Sequence, residues 1–174
     1  VDNFEKLPEN TVFLKGNIIG RHIRKETFLK VFNNKFFTCI EDCNYHNLNQ
    51  KSIKNGYALI TCDGGWMEKN TSWYLHHHLH PIKYFLSYNN FMKFCFINPV
   101  IPKYIRFPPG GCFIVPKNQI LKYDVIFYKN LKTFVEHSRI SGEGQLIERA
   151  LYTIWNCNFE VSDRMKKEID KDNF

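Results

Sequence analysis

Four of the chain's seven histidines, His76, His77, His78 and His80, lie in the stretch "SWYLHHHLHPIKYF" at residues 72 to 85. In an extended strand, His76, His78 and His80 would share one face, and neutral imidazoles so placed can meet a metal ion. "CIEDCNYH" adds Cys39, Cys43 and His46 as further residues of ligand type. Neither stretch has the C-x2-C or H-x3-H spacing of structural zinc sites, and no HExxH occurs. The preferred readings of the histidines are a partly exposed aromatic loop, or a substrate-facing loop whose imidazoles donate hydrogen bonds. Cys112, after Gly110 and Gly111, could act as a nucleophile with His137, but Gly-Gly-Cys before "FIVP" fits a close-packed strand start better. Glu143 and Glu148 stand early in the last strong helical pattern. Glu148 lies at the edge of its apolar face, where desolvation would raise its pKa and suit it to general-base work. The competing account gives Glu143 to the helix dipole and pairs Glu148 with Arg149 or another cation, and on the residues alone that account is preferred.

These groups need elements to position them. "NTVFLKGN", 10 to 17, reads as a strand with a Gly-Asn stop, after a turn at Pro8. "KETFLKVFNN", 25 to 34, reads as a short amphipathic helix. "KFFTCIED" and "YALITCD" read as strands that run from apolar residues into acids. Residues 66 to 90 give no clear period. "NNFMKFCF" suits a helix, "PVIPKYIRFPPGG" an extended connector, and "GGCFIVP" a short buried strand. Residues 117 to 137 read as one long helical region. In "SGEGQLIERALYTIWNC", Ile147, Ala150, Leu151 and Ile154 recur at i, i+3, i+4 and i+7, a helix opened by Ser141 and Gly142. Alternating strands and helices predict an α/β sheet with helices on its faces, as a single domain over 1 to 174. Ligands of open α/β sheets bind at strand carboxyl ends, so the first residues to consider are Gly16 with Asn17, Glu41 with Asp42, and Asp63 with Gly64.

Composition narrows the chemistry. The 174 residues carry a formal charge of +7, are 44% hydrophobic and 16% aromatic, and include six cysteines. That excludes a disordered chain. No apolar run approaches the ~20 residues of a membrane helix. No signal-peptide pattern opens the sequence, which predicts a reducing, cytoplasmic compartment and free thiols. The positive charge favours an anionic partner. The basic residues are scattered and form no zinc finger, RNP motif or basic helix, so a phosphate-bearing small ligand is expected and nucleic acid is not.

Two stretches resemble a known family. "VDNFEKLPENTVFLKGN" resembles the pattern I-x-N-Y-D-x-L-P-x-x-T-x-F-L-Q-G-N. "GGCFIVPKNQILKYDVIFYKNL" and "LIERALYTIW" look like its second half. The family comprises small proteins of bacteria, fungi and large algal viruses. It is similar to GT-A glycosyltransferases, including the glycosyltransferase domain of a chlorella-virus protein.

The resemblance covers the two ends of the chain and leaves out the histidine stretch. It implies a GT-A-like mixed, mainly parallel sheet flanked by helices. It also implies transfer of a sugar from a nucleotide sugar, a UDP-sugar first, to a glycan acceptor hydroxyl. For a viral source the compartment would be the host cytoplasm. On this basis Glu148 or Glu143 is the base, Lys15, Gly16 and Asn17 bind the donor, and Gly110, Gly111, Cys112 and Arg149 bind the acceptor. Outside the matched stretches, Asp63 at a strand end is expected to bind the donor and His78, in a loop bordering the pocket, the acceptor. Lys15, Gly16 and Asn17 stand where many GT-A enzymes carry an Asp-x-Asp metal motif. A Mn2+ or Mg2+ ion, with no organic cofactor, would therefore fall to Asp42 or Asp63, with Glu41 beside them, or Lys15 would neutralise phosphate directly. The resemblance also implies a β-α-β segment upstream of "NFEKLP" that this sequence is expected to lack. The alternative function is a non-catalytic carbohydrate- or nucleotide-binding module of the same fold.

Overall fold

The computed structural model describes residues 3–41, 57–60, 65–70, 79–108 and 110–172. A 3-10 turn (Phe4–Lys6) leads into β1 (Asn10–Phe13), α1 (Lys25–Val31) and β2 (Thr38–Cys39). β3 (Tyr57–Ile60), β4 (Gly65–Lys69), α2 (Tyr88–Cys95) and β5 (Tyr104–Phe107) follow. The last elements are β6 (Phe113–Pro116), α3 (Lys117–Ile120), α4 (Val125–Val135) and α5 (Gly142–Asn156).

The chain is mixed α/β, as the alternation of elements predicts, but each ladder among the described residues is antiparallel. The strands form two sheets, ordered β1-β6-β2 and β3-β4-β5. The expected mainly parallel sheet has no parallel ladder among these residues. The reason is order in space. β1 and β2 point the same way, yet the late strand β6 lies between them and runs opposite to both, with Phe13 and Cys39 each opposite Phe113. β3 and β4 are joined by residues 61–64, a hairpin-length connection that only antiparallel strands allow. Strand β4 falls in the region with no clear period, and β5 in the proline-punctuated connector. "YIRF" alternates exposed and buried positions, and its pairing with β4 makes it a strand.

The long helical region divides in two. Asp124 takes an extended conformation and its carboxylate accepts the Ile126 N–H at 2.9 Å, which restarts the helix as α4. Ser141 caps α5 in the same way through Gly144 N–H at 3.2 Å. At the other end of α5, the Lys122 ammonium donates to the carbonyls of Trp155 at 2.9 Å and Cys157 at 2.6 Å, taking up orphan acceptors of the last turn.

α5 ties the fold together. Trp155 stacks on Phe13 of β1 (5.1 Å between ring centres) and meets Phe113 of β6 edge-on (5.1 Å). Earlier on the same helix, Arg149 reaches Glu68 of β4 and lies over the Phe107 ring of β5 at 4.5 Å. A web of Phe85, Phe91, Phe94 and Phe134 fills the space between α2 and α4.

Candidate functional site

The carboxyl ends of β1 and β2 and the amino end of β6 lie at one edge of the first sheet. This edge gathers Lys15 from beyond β1, Glu41 from beyond β2, and Gly110, Gly111 and Cys112 ahead of β6. The Ile40 N–H bonds the Cys112 carbonyl at 2.9 Å, which holds Glu41 beside the turn. Gly110 and Gly111 have φ of +84° and +64°, left-handed values that glycine adopts without strain. A Cβ on Gly110 would stand 2.9 Å from the Lys15 Cδ, so the bare backbone is what lets the lysine stem lie against the turn. Gly16 and Asn17 continue the same loop, both exposed, with Asn17 at φ +66°.

Glu148 closes the group from α5. Its Oε1 accepts the Gly110 N–H at 3.0 Å, and its Oε2 accepts no hydrogen bond from the described residues. The side chain is half-buried. Cys112 is buried beneath: its Sγ receives the Lys15 backbone N–H at 3.3 Å and lies 3.6 Å from the Gly110 carbonyl. Burial pushes the Cys112 thiol up. The Lys15 N–H pulls it down, and the nearby carboxylates of Glu41 and Glu148 push it up further. Such a thiol stays protonated and is a poor nucleophile at neutral pH. The resulting edge offers a carboxylate with one anchored oxygen and one available oxygen, an ammonium, and two glycines whose backbone a ligand can approach closely.

Glu143 and Arg149 are placed elsewhere. Glu143 is fully buried, and its Oε1 accepts the N–H groups of Lys83 (2.8 Å), Tyr84 (2.7 Å) and Phe85 (3.4 Å). Its Oε2 lies 2.7 Å from the His137 Nε2. Desolvation pushes this carboxyl up, but the Tyr84 N–H, His137 and the Lys83 N–H together outweigh it, and the net shift is down. Glu143 is therefore a structural anion at the start of α5, and His137 is its partner rather than that of Cys112. Arg149 donates from Nε to Glu68 Oε2 at 3.0 Å, with both side chains buried. Adjacent in sequence, Glu148 and Arg149 face different surroundings because successive helix positions turn by about 100°.

His78, Asp42 and Asp63 lie outside the described residues, as do His76, His77, Cys43 and His46. His80 Nδ1 lies 3.0 Å from the Ile140 carbonyl. Among the described residues, no three His, Cys, Asp or Glu side chains come together to hold a metal ion. Cys39, Cys95, Cys112 and Cys157 are free thiols. No helix among the described residues is long and apolar enough to cross a membrane. The sequence signals for the pairing of Glu68 with Arg149 were weak, since Glu68 sits in a stretch with no clear period. No family model, no curated protein and no solved structure matches the chain.

Proposed function

We propose that the chain is a GT-A-like, nucleotide-sugar-dependent glycosyltransferase in which Glu148 is the general base. The observation that supports it is the convergence of Glu148, Lys15 and the Gly110–Gly111 turn at the carboxyl ends of β1 and β2. On this reading the available Glu148 oxygen takes the proton of the acceptor hydroxyl. The acceptor oxygen then bonds to the anomeric carbon as the bond from that carbon to the donor diphosphate breaks. The diphosphate leaves with the electron pair, and Lys15 offsets its growing charge. The donor is a UDP-sugar and the acceptor a glycan; His78 is assigned to acceptor binding and Asp63 to donor binding, and a Mn2+ or Mg2+ ion would fall to Asp42 or Asp63. The antiparallel ladders would be one part of a GT-A-like mixed sheet. No step is assigned to a metal.

The test is release of UDP from UDP-sugars, with and without a glycan acceptor, and with and without Mn2+ or Mg2+. Glu148→Gln should lower turnover by about 100-fold or more while the melting midpoint stays close to that of the parent. Full activity in Glu148→Gln would remove the base from this glutamate. The sequence Lys15-Gly16-Asn17, with no acid at the end of β1, favours a second reading as a non-catalytic binding module. A midpoint raised by a nucleotide sugar, with no turnover of any donor, would select it.

A further inference from the structure

A concavity of about 450 Å³ opens between the segment before α2, α2 itself and the segment after α5. Its volume lies within the range of about 300–1,000 Å³ typical of small-molecule sites. Asn90, Lys93 and Phe94 stand at i, i+3 and i+4 on α2, so the helical period puts them on one side of it. The Ser87 hydroxyl donates to Asn90 Oδ1 at 2.7 Å and accepts the Asn90 N–H at 3.1 Å. The Asn90 acceptor is thereby occupied, and its amide NH2 is left to donate. Arg164 comes from the far segment and lies over the Phe94 ring at 5.3 Å, which holds its guanidinium on the wall. On the other side, the Lys83 ammonium lies over the Tyr84 ring at 5.0 Å. Leu86 adds an apolar surface that is 75% exposed. No carboxylate lines the concavity. Among the described residues, Lys83, Lys93 and Arg164 form no salt bridge. The neighbouring acids serve other cations. Asp163, beside Arg164 in the chain, pairs with Lys166 at 2.8 Å, and Glu136, on the Tyr84 side, pairs with Lys171 at 2.7 Å. The N–H groups of Lys83, Tyr84 and Phe85 are taken by Glu143, so the side chains decide what binds. Like charges gathered on one concavity repel each other when it is empty, and an anion relieves that repulsion.

We propose that this concavity binds a small phosphate monoester with an apolar body, the phosphate among Asn90, Lys93 and Arg164 and the body against Tyr84 and Leu86. The charge selects the phosphate. Two uncompensated cations match a monoester, which carries about −1.5 to −2 at neutral pH, better than a carboxylate or a sulfate ester with a single charge. The hydrogen bonds agree, because Asn90, Lys93 and Arg164 present donors and phosphate oxygens only accept. The size calls for a body, since the space is far larger than a bare phosphate fills and one wall is apolar. The concavity shares no residue with the edge that holds Lys15, Gly110 and Glu148. The proposal therefore stands whether or not the chain transfers sugars.

Isothermal titration of the whole chain with phenyl phosphate, in a phosphate-free buffer of low ionic strength, tests it. Phenyl sulfate is the singly charged control and inorganic phosphate the control without a body. Saturable binding of phenyl phosphate is expected, with a Kd on the order of 100 μM, and phenyl sulfate should bind about tenfold more weakly. Binding should weaken as pH falls through the second pKa of the ester, about 6, where the dianion is lost. Arg164→Gln and Lys93→Gln, both at exposed positions, should each weaken phenyl phosphate by about fivefold or more in proteins that melt as the parent does. Leu86→Ser should weaken phenyl phosphate and leave inorganic phosphate unchanged. Lys15→Gln, which removes the cation of the candidate site, should bind phenyl phosphate as the parent does. The proposal is overturned by the absence of saturable binding in the folded parent, or by equal affinity for the phosphate and sulfate esters. It is equally overturned by undiminished binding in a folded Arg164→Gln or Lys93→Gln, or by loss of binding in Lys15→Gln, which would move the anion to the other site.

Discussion

Two glutamates five positions apart on one helix have opposite roles, and their hydrogen bonds separate them. Glu148 keeps an oxygen available beside Lys15, whereas each oxygen of Glu143 is engaged by backbone N–H groups or by His137. Replacing Glu143 by glutamine should cost about 2–3 kcal/mol, because charge-assisted hydrogen bonds are lost from a buried position. The pH dependence has a definite sign. The folded-state pKa of Glu143 is depressed, so its contribution is complete above the unfolded carboxyl value of about 4.3 and is lost as pH falls through the folded value. The urea midpoint of the parent should therefore exceed that of Glu143→Gln at about pH 6, and the gap should close as the solution is acidified toward about pH 3. A gap that stayed constant would show that the carboxylate charge is not what holds the 83–85 segment. On its residues alone Glu143 reads as serving the helix dipole, and the family resemblance offered it as an alternative base; in the structure both its oxygens are taken by the 83–85 backbone and His137. What the sequence could not reveal was its partners, which lie some sixty positions away in the chain.

At the scale of the element, α5 carries four different duties on its faces: an anchor for the 80s segment, the candidate base, a buried ion pair, and an apolar seam. The pair Arg149–Glu68 fixes the helix to the second sheet. Breaking one side leaves a buried charge without its partner. Arg149→Met or Glu68→Gln alone should each cost about 3–5 kcal/mol, while the double variant should recover much of that loss. Chemical denaturation of the three variants gives the coupling directly; additive losses would show that the two side chains act independently. The helix itself was legible from its period, its Ser141 start and its apolar positions. The pairing strands were less so. β4 has no clear period, and β5 lies among prolines, so β4 became a strand by pairing with β3 and β5, and β5 by pairing with β4.

At the scale of the whole molecule, Trp155 and Arg149 make one helix the common support of two sheets that do not pair with each other. Trp155→Ala should destabilise the protein by about 3–5 kcal/mol, and far-ultraviolet and near-ultraviolet signals should still melt together. Separate transitions would mean that the sheets fold independently. The sequence by itself determined the element types with strong periods, the helix start at Ser141, the basic charge, and the candidacy of strand-ending residues, whereas the break at Asp124 emerged only in the structure. Those follow from local preference and from the alternation of side chains, which neighbouring residues carry. Only the tertiary structure decided that β6 enters between β1 and β2, so that the ladders run antiparallel. It also decided that Lys15, Glu41, the Gly110–Gly111 turn and Glu148 meet at one edge while Glu143 and Arg149 turn away. Such choices depend on packing between residues far apart in the chain, where burial and hydrogen bonding outweigh the weak local preferences that a sequence displays.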